Sequence, residues 1–254
     1  MKYILLLMFT LIIVINAQEF SPAIEDNSFF IEEAYNQEEH VVQHIFNGVS
    51  GNPFETSFTQ EWPAFGQTHQ LSFTLPYIVD PLNSPKKEGI GDILVNYRYQ
   101  LINENELAIA PRVSIILPTG DEAKGCGNGV VGAQINIPVS KRFSNEIVTH
   151  YNAGFTVVPN VLFVSSKATV TEYFAGVSGI YLANKSFNVM AEVLYTSSGS
   201  KFGRTNELII SPGMRWGIDI GELQIVPGLA FPFYFNSGIQ ENSFFLYLSF
   251  EHPY

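Results

Sequence analysis

Residues 146–158, EIVTHYNAGFTVV, alternate between apolar and polar side chains. A repeat of two residues indicates a β-strand whose two faces meet different surroundings. The polar face holds amides, small residues and a histidine, where a water-facing sheet would be richer in Lys and Glu. This combination is typical of a membrane β-barrel strand, with its apolar face toward lipid and its polar face toward the lumen. The apolar face comprises Ile147, Tyr151, Ala153, Phe155 and Val157, and the polar face His150, Asn152, Gly154 and Thr156.

The same alternation recurs along the chain from residue 40 to the C-terminus. An even number of strands is expected for a single-chain bacterial barrel, and about twelve can be counted. We therefore predict an all-β fold, a transmembrane antiparallel up-and-down β-barrel of about twelve strands with a short N-terminal periplasmic segment. The predicted strands cover residues 41–46, 56–62, 69–77, 91–101, 108–117, 129–141, 146–158, 169–182, 187–195, 208–218, 223–233 and 242–252.

The predicted connections alternate between short and long, which places all the short ones at one end of the barrel. Short periplasmic turns and longer extracellular loops are the expected arrangement. Pro111, Pro138, Pro212, Pro227 and Pro232 fall inside predicted strands. Because proline cannot donate a ladder hydrogen bond, we expect bulges or strand ends at these positions. The short connections span 63–68, 102–107, 142–145, 183–186 and 219–222, and the long ones 47–55, 78–90, 118–128, 159–168, 196–207 and 234–241.

The composition excludes several classes of protein. Charged residues make up 15% of the chain and aromatic residues 14%, which excludes an intrinsically disordered protein. The formal net charge of −11 argues against nucleic-acid binding, which requires a basic surface. A single cysteine excludes a disulfide framework. We predict no metal and no other cofactor.

The N-terminus has the features of a secretory signal peptide. Lys2 precedes an apolar run from Ile4 to Ile15, and Ala17 offers a small residue for cleavage. A buried or interfacial helix is the alternative. We predict a signal peptide at residues 1–17, an acidic periplasmic segment at 18–39 and an outer-membrane β-barrel at 40–254. For the acidic segment, the alternative is that residues 31–35 fold into the base of the barrel as a small plug.

Alternating apolar and aromatic residues continue to the last residue, Tyr254. This ending is similar to the signal by which outer-membrane barrels are recognised for insertion. The predicted partners are outer-membrane lipid, the barrel-assembly machinery through the C-terminal strand, and a small-molecule solute. The predicted location is the outer membrane of a Gram-negative bacterium. The alternating residues are Phe244, Leu246, Leu248, Phe250, His252 and Tyr254.

Short motifs between residues 32 and 160 resemble a known family. In their order and spacing they are similar to the outer-membrane transporter family named after the meta-pathway of phenol degradation. The resemblance implies an outer-membrane barrel that takes up small solutes, aromatic or other hydrophobic compounds among them, and it implies no catalytic residues. The motifs are EEAYNQE at 32–38, VVQH at 41–44, FTQEWP at 58–63, HQLSFTLPY at 69–77, Gly91-Asp92-Ile93 with Tyr97 and Tyr99, and LPTGD at 117–121 before a glycine-rich turn.

In a strand, every second side chain points to the same face, and this parity predicts that ten polar residues face the lumen and line a pore. In a narrow barrel, charges of both signs would select solutes by size and charge. The alternative is a structural ion-pair network that fills the lumen, because charges removed from water must be paired. Asp121 and Lys124 are predicted to lie in a loop that folds inward and constricts the pore. The ten residues are Asp92, Asn96, Arg98, Arg112, Gln134, Asn136, His150, Glu172, Glu192 and Arg215.

These observations predict a porin-like channel or transporter for passive passage of small solutes, since no nucleotide site or energy-coupling domain is visible. One alternative is a structural or plugged barrel without transport. The other is an outer-membrane lipid hydrolase, which would require His150 with Ser178 or Ser211. Because parity turns His150 toward the lumen and away from lipid, we predict that the protein is not an enzyme.

Overall fold

The computed structural model describes residues 28–51, 53–80, 82, 87–164, 166–236 and 239–254. These residues form a closed antiparallel barrel, in which each strand pairs with the next along the chain and the last pairs with the first. The predicted all-β class and number of strands are confirmed. The predicted signal peptide, residues 1–17, lies outside the described residues. Within them, no helix is long and apolar enough to cross a membrane.

Twelve strands make up the barrel wall, and breaks divide six of them into shorter segments. They are β1 (Val41–Val49), β2 (Phe54–Pro63), β3 (His69–Asp80), β4 (Lys87–Ile90, Ile93–Tyr99 and Ile102–Asn103), β5 (Leu107–Ile109 and Arg112–Leu117), β6 (Gly132–Asn136 and Val139–Arg142), β7 (Ile147–Phe163), β8 (Ser166–Asn184), β9 (Phe187–Ser200), β10 (Gly203–Trp216 and Ile218–Ile220), β11 (Leu223–Ala230 and Phe233–Asn236) and β12 (Ile239–Asn242 and Phe245–Pro253).

The prolines account for several of these breaks. Pro111, Pro138 and Pro232 lie between segments of β5, β6 and β11, as expected. Pro212 and Pro227 instead lie inside continuous segments. The carbonyl of Pro212 accepts a hydrogen bond from Phe231 N at 2.9 Å. Because the N and C=O of a strand residue point to the same side, the missing donor of Pro212 faces the break in β11.

The strands β7 to β10 are longer than a bilayer requires. β7 and β8 have 17 and 19 residues, and β9 and the first segment of β10 have 14 each. About 9–11 residues are enough for a barrel strand to cross. The predicted loops 159–168 and 196–207 are therefore mostly strand, since their backbone groups pair in two continuous hairpins.

The two ends of the barrel differ, and we name them by their connections. The hairpin end carries the tips of the long hairpins, and the opposite end is the turn end. The described N-terminal residues lead into β1 at the turn end. The turn end holds the connections 64–68, 104–106, 143–146, 185–186 and 221–222.

The two faces of the wall have opposite polarity, as the alternation predicts. Val95 and Ile115 point outward and are 42% and 54% exposed. His150 and Arg215 point inward and are fully buried. Exposed apolar and buried polar residues in one sheet are the reverse of a water-soluble domain and match a barrel surrounded by lipid.

Close packing across the wall can be tested at Gly154 in β7. A Cβ on Gly154 would overlap the ring of Phe174 and the backbone oxygen of Ile135. Because a ladder carbonyl cannot move aside, Gly154→Ala is expected to destabilise the barrel by about 1–3 kcal/mol. The measurement is the urea midpoint of the heat-modifiable folded band. Gly179→Ala in β8 is the control, since nothing lies within 4 Å of a Cβ there. A wild-type midpoint for Gly154→Ala would contradict this packing.

Candidate functional site

The described start of the chain, residues 28–37, lies inside the barrel, and we call it the plug segment. Ser28, Ile31, Ala34 and Asn36 are each at least 96% removed from solvent. For residues 28–37 the structure therefore differs from the predicted acidic periplasmic segment at 18–39, and it agrees with the alternative of a plug. The plug is longer than the predicted residues 31–35 because side chains of the wall bind its backbone along most of its length. Residues 18–27 lie outside the described part of the chain.

Glu192 of β9 anchors the first turn of the plug. Its Oε1 accepts hydrogen bonds from the backbone N–H groups of Phe29, Phe30 and Ile31 at 3.1, 3.0 and 3.0 Å. Successive N–H groups that converge on one point form an anion-binding concavity, and here a carboxylate of the wall fills it. Three hydrogen bonds to one oxygen fix this turn of the plug at a single point of the wall.

Two side-chain amides take the place of a neighbouring strand. The Asn152 amide accepts from Glu32 N at 2.9 Å and donates to Glu32 O at 2.8 Å. Gln100 accepts from Asn36 N at 2.8 Å and donates to Ala34 O at 2.7 Å. An amide carries one acceptor and two donors, so it can satisfy a peptide N–H and a C=O together. The plug thus receives ladder-like bonds without joining the sheet.

A serine and a histidine complete this backbone recognition. Ser140 Oγ accepts from Ala34 N at 2.8 Å and lies 2.7 Å from His150 Nδ1. Ser28 Oγ lies 2.5 Å from Ser178 Oγ. His150, Ser140 and Ser178 are fully buried between the wall and the plug.

Two arginines bind the polar side of the plug. Arg112 makes two hydrogen bonds to the Glu32 carboxylate, with Nη2–Oε1 at 2.6 Å and Nε–Oε2 at 3.0 Å. Arg98 donates from Nε to Asn36 Oδ1 at 2.8 Å and from Nη1 and Nη2 to the carbonyls of Glu33 and Tyr35. The planar guanidinium supplies several donors in fixed directions, which suits simultaneous binding of a carboxylate and peptide carbonyls.

The apolar side of the plug packs against glycines of the wall. The Phe29 ring lies over Gly213 and Gly228, and Ile31 lies over Gly176, so closely that a Cβ on Gly213 or Gly176 would overlap the plug. The Phe29 ring is also 5.3 Å from that of Phe245. These glycines make room for the plug in a lumen that larger side chains would fill.

All ten predicted lumen residues point into the barrel. Arg98, Arg112, His150 and Glu192 belong to the plug contacts described above. Asn96 and Gln134 each accept a hydrogen bond from Arg112 at 2.9 Å. Asn136 donates to Asn152 Oδ1 at 3.2 Å. These contacts match the alternative of a lumen network, and whether the residues line a pore stays a prediction.

The other three of the ten have different described contacts. The Arg215 guanidinium is buried and lies 5.5 Å from the centre of the Tyr247 ring. Glu172 is half-buried and pairs in register with Thr156 and Ser198. Asp92 binds the loop 118–131 at the hairpin end.

Asp92 fastens that loop to β4. Its carboxylate accepts hydrogen bonds from Gly120 N at 3.0 Å and from Asn128 N at 2.8 Å. Asp121 and Lys124 are exposed in the same loop and form an ion pair of 3.4 Å with each other. The described contacts of Asp121 and Lys124 thus stay within the loop. The sequence predicts that these two residues constrict the pore, whereas the segment that the structure places inside the lumen is the plug segment.

Two cavities lie on either side of the plug. The mid-lumen cavity, of about 260 Å³, lies between the first half of the plug and the strands β1 to β5. The turn-end cavity, of about 510 Å³, is lined by the second half of the plug and by the ends of β11 and β12. Glu61 borders the first cavity and Gln37 the second.

A chain of hydrogen-bonded side chains separates the two cavities, and we call it the septum. Gln37 Nε2 donates to Gln43 Oε1 at 2.9 Å, and Gln37 N donates to Gln70 Oε1 at 2.7 Å. Gln70 Nε2 donates to Glu61 Oε2 at 2.7 Å. Gln43, Gln70 and Glu61 lie on the lumen face by the same parity as the predicted residues. Sequence reasoning missed them because the ten predicted residues come only from β4 to β10, whereas these three lie in β1, β2 and β3.

Comparisons with known proteins identify the fold. A scan against protein-family models and a search of curated proteins found no match. Among solved structures, an outer membrane channel from Pseudomonas putida F1 is similar over 93% of this chain and 100% of its own, with 14% identity and a TM-score of 0.61. A KdgM porin is similar over 84% and 99%, with 8% identity and a TM-score of 0.55.

A NanC porin is also similar, over 82% of this chain and 98% of its own, with 11% identity and a TM-score of 0.53. At such identities the similarity establishes the fold alone. The protein therefore has an outer-membrane-type barrel fold. The family resemblance drawn from the sequence motifs stays a prediction.

The three hydrogen bonds between Glu192 and the plug can be tested by substitution. Glu192→Ala removes the shared acceptor of three amides, and each such hydrogen bond contributes about 0.5–1.5 kcal/mol. Hydrogen exchange at Phe29, Phe30 and Ile31 is expected to accelerate at least about tenfold. Glu172→Ala, which removes another inward-facing carboxylate, serves as the control and should leave these rates unchanged. Unchanged rates in Glu192→Ala would argue against the anchor.

Proposed function

We propose that the protein is a passive channel for small solutes whose lumen is closed by the plug segment and the septum. The observation that carries this proposal is that the mid-lumen and turn-end cavities lie on the two sides of the septum, in a lumen with polar walls. The described bonds of the barrier run mostly through side chains, so it can move without opening the barrel wall. The similarity to channel and porin barrels supports the same function by analogy of fold.

The mid-lumen cavity favours small amphipathic solutes. Thr59, Ser72 and Thr74 offer hydroxyl groups on the wall side, while Phe29 and Ile31 offer apolar surface on the plug side. Its volume of about 260 Å³ is below the range of about 300–1,000 Å³ usual for drug-sized ligands. A solute with one apolar face and one hydrogen-bonding group fits both linings. Aromatic compounds, which the family resemblance implies, are within this class.

The proposed location is the outer membrane of a Gram-negative bacterium, with the turn end in the periplasm. A predicted signal peptide, an apolar outer surface and an aromatic C-terminal strand support this placement. Outer-membrane lipid and the barrel-assembly machinery are the partners that it implies.

A plugged barrel without transport is the second candidate, and the extensive bonding of the plug favours it. A lipid hydrolase is disfavoured by the position of His150. This residue, Ser140 and Ser178 are fully buried between the plug and the wall, where a lipid of the surrounding membrane cannot reach them.

The channel proposal can be tested by removing the plug. A mature chain that lacks residues 28–37 is expected to conduct at least several times more current per step in planar bilayers than the intact chain. The physical reason is that water and ions replace the peptide in the lumen. The measurement is the single-channel conductance at equal salt.

The matched control keeps the length of the chain and replaces residues 28–37 by glycine and serine. It should also conduct more than the intact chain, because it lacks the Glu32 carboxylate that pairs with Arg112 and the Phe29 ring that packs on the wall, although its backbone can still form hydrogen bonds. If neither variant conducts while both give a heat-modifiable folded band, the structural barrel is the better description.

A further inference from the structure

Basic and acidic residues at the hairpin end lie on opposite sides of the barrel wall. Arg204 of β10 and Lys167 of β8 are exposed on the outward face, and Lys201 is exposed at the tip between β9 and β10. Glu55, Glu207 and Glu241 instead line a cavity of about 290 Å³ on the inner side. The outer surface of β8 to β10 at this end therefore carries positive charge, although the chain has a net charge of −11.

Arg204 is held in one orientation. Its Nη1 donates to Ser197 O at 2.6 Å, and its Nη2 donates to Thr171 Oγ1 at 2.6 Å. The guanidinium carbon lies 5.2 Å from the centre of the Tyr173 ring. All of these partners are neutral, and within the described residues no carboxylate pairs with Arg204. Arg204 is exposed on the outward face, so its guanidinium is accessible to a ligand there.

Tyr173 places this charge at a defined depth. Its ring is 53% exposed on the outward face and packs 5.0 Å from that of Phe155. Tyr195 is exposed on the same face in the next strand. Aromatic girdles of this kind mark the border between the apolar band and the headgroups. Below these rings the outward residues are apolar, with Val177 and Val193 paired in register. Arg204 thus lies at headgroup level.

Lys167 and Lys201 extend the positive surface above the girdle. Lys167 pairs in register with Leu162 near the tip of the β7–β8 hairpin. The Phe163 and Phe202 rings lie 5.2 Å apart and join that tip to the β9–β10 tip, where Lys201 Nζ is 4.9 Å from the Phe202 ring. Arg204 and Lys167 therefore lie on one outward surface, and Lys201 is exposed at the tip that adjoins it. We call these three residues the basic face.

We propose that the basic face binds the phosphate groups of a phosphorylated lipid in the outer leaflet. Guanidinium and ammonium groups pair with phosphate, and the aromatic and aliphatic surface beneath them matches the acyl chains of the same molecule. The inference rests on the proposed placement in the outer membrane, with the hairpin end outward. It concerns the outer surface of the barrel and is independent of passage through the lumen.

The experiment uses the refolded mature chain in a neutral detergent, titrated with bisphosphorylated lipid A and observed by native mass spectrometry. The wild-type chain is expected to retain one lipid. The triple variant Lys167→Gln, Lys201→Gln, Arg204→Gln should bind on the order of 100-fold more weakly, since each cation near an anionic headgroup contributes about fivefold. Lys185→Gln, a matched change of an exposed lysine at the turn end, should bind like the wild type.

Further arms separate the possible outcomes. The same glycolipid without phosphate should not be retained, and equal retention would overturn the role of phosphate. Retention by the triple variant at the wild-type affinity would overturn the basic face as the site. Displacement of lipid A by equimolar inorganic phosphate would show a site for free phosphate and would also overturn the proposal. The conductance of the plug-deleted chain tests the channel separately, because the triple substitution leaves the lumen unchanged.

Discussion

A peptide segment buried inside a closed barrel carries N–H and C=O groups that need hydrogen-bond partners. The barrel wall cannot supply them from its backbone, because each strand already pairs with two neighbours. Side chains of the lumen must therefore provide them. The carboxylate of Glu192, the amides of Asn152 and Gln100 and the hydroxyl of Ser140 do so for the plug. This requirement explains why the lumen is rich in amides and hydroxyls.

The same requirement determines how firmly the plug is held. An amide hydrogen bond is worth about 4–6 kcal/mol in an apolar medium, but only about 0.5–1.5 kcal/mol when water can replace either partner. If water fills the lumen as the plug leaves, each broken hydrogen bond costs only the smaller of these two amounts. The pair of Arg112 with Glu32 follows the same logic, because its breakage is costly only if one charge remains buried without a partner. The plug can thus be well ordered and still be displaced.

Period-two alternation predicts the strands and the faces of the wall well, because both depend on neighbours in the sequence. The inward direction of Arg98 or His150 follows from parity alone. The plug contacts depend on residues far apart in the chain, such as Ile31 with Glu192, 161 positions away. No local pattern encodes that distance. The lengths of β9 and β10 were underestimated for a related reason, since their apolar signal ends near Tyr195 and Leu208 while the ladder continues. In β7 the prediction stopped at Pro159 and Asn160, where the ladder shifts register and then resumes at Val161.

The path of the plug divides the lumen unequally. Its first half lies against β8 and β9, through Ser178 and Glu192, and leaves the mid-lumen cavity beside β1 to β5. Its second half crosses to β3, where Gln37 meets Gln70. A solute in the mid-lumen cavity therefore lies beside the first half of the plug, and the septum is the barrier between it and the turn-end cavity. Rotation of a few amide side chains there disturbs fewer bonds than withdrawal of the whole segment. The septum is consequently the least costly place for the barrier to open, and the Glu192 anchor can remain in place while it does.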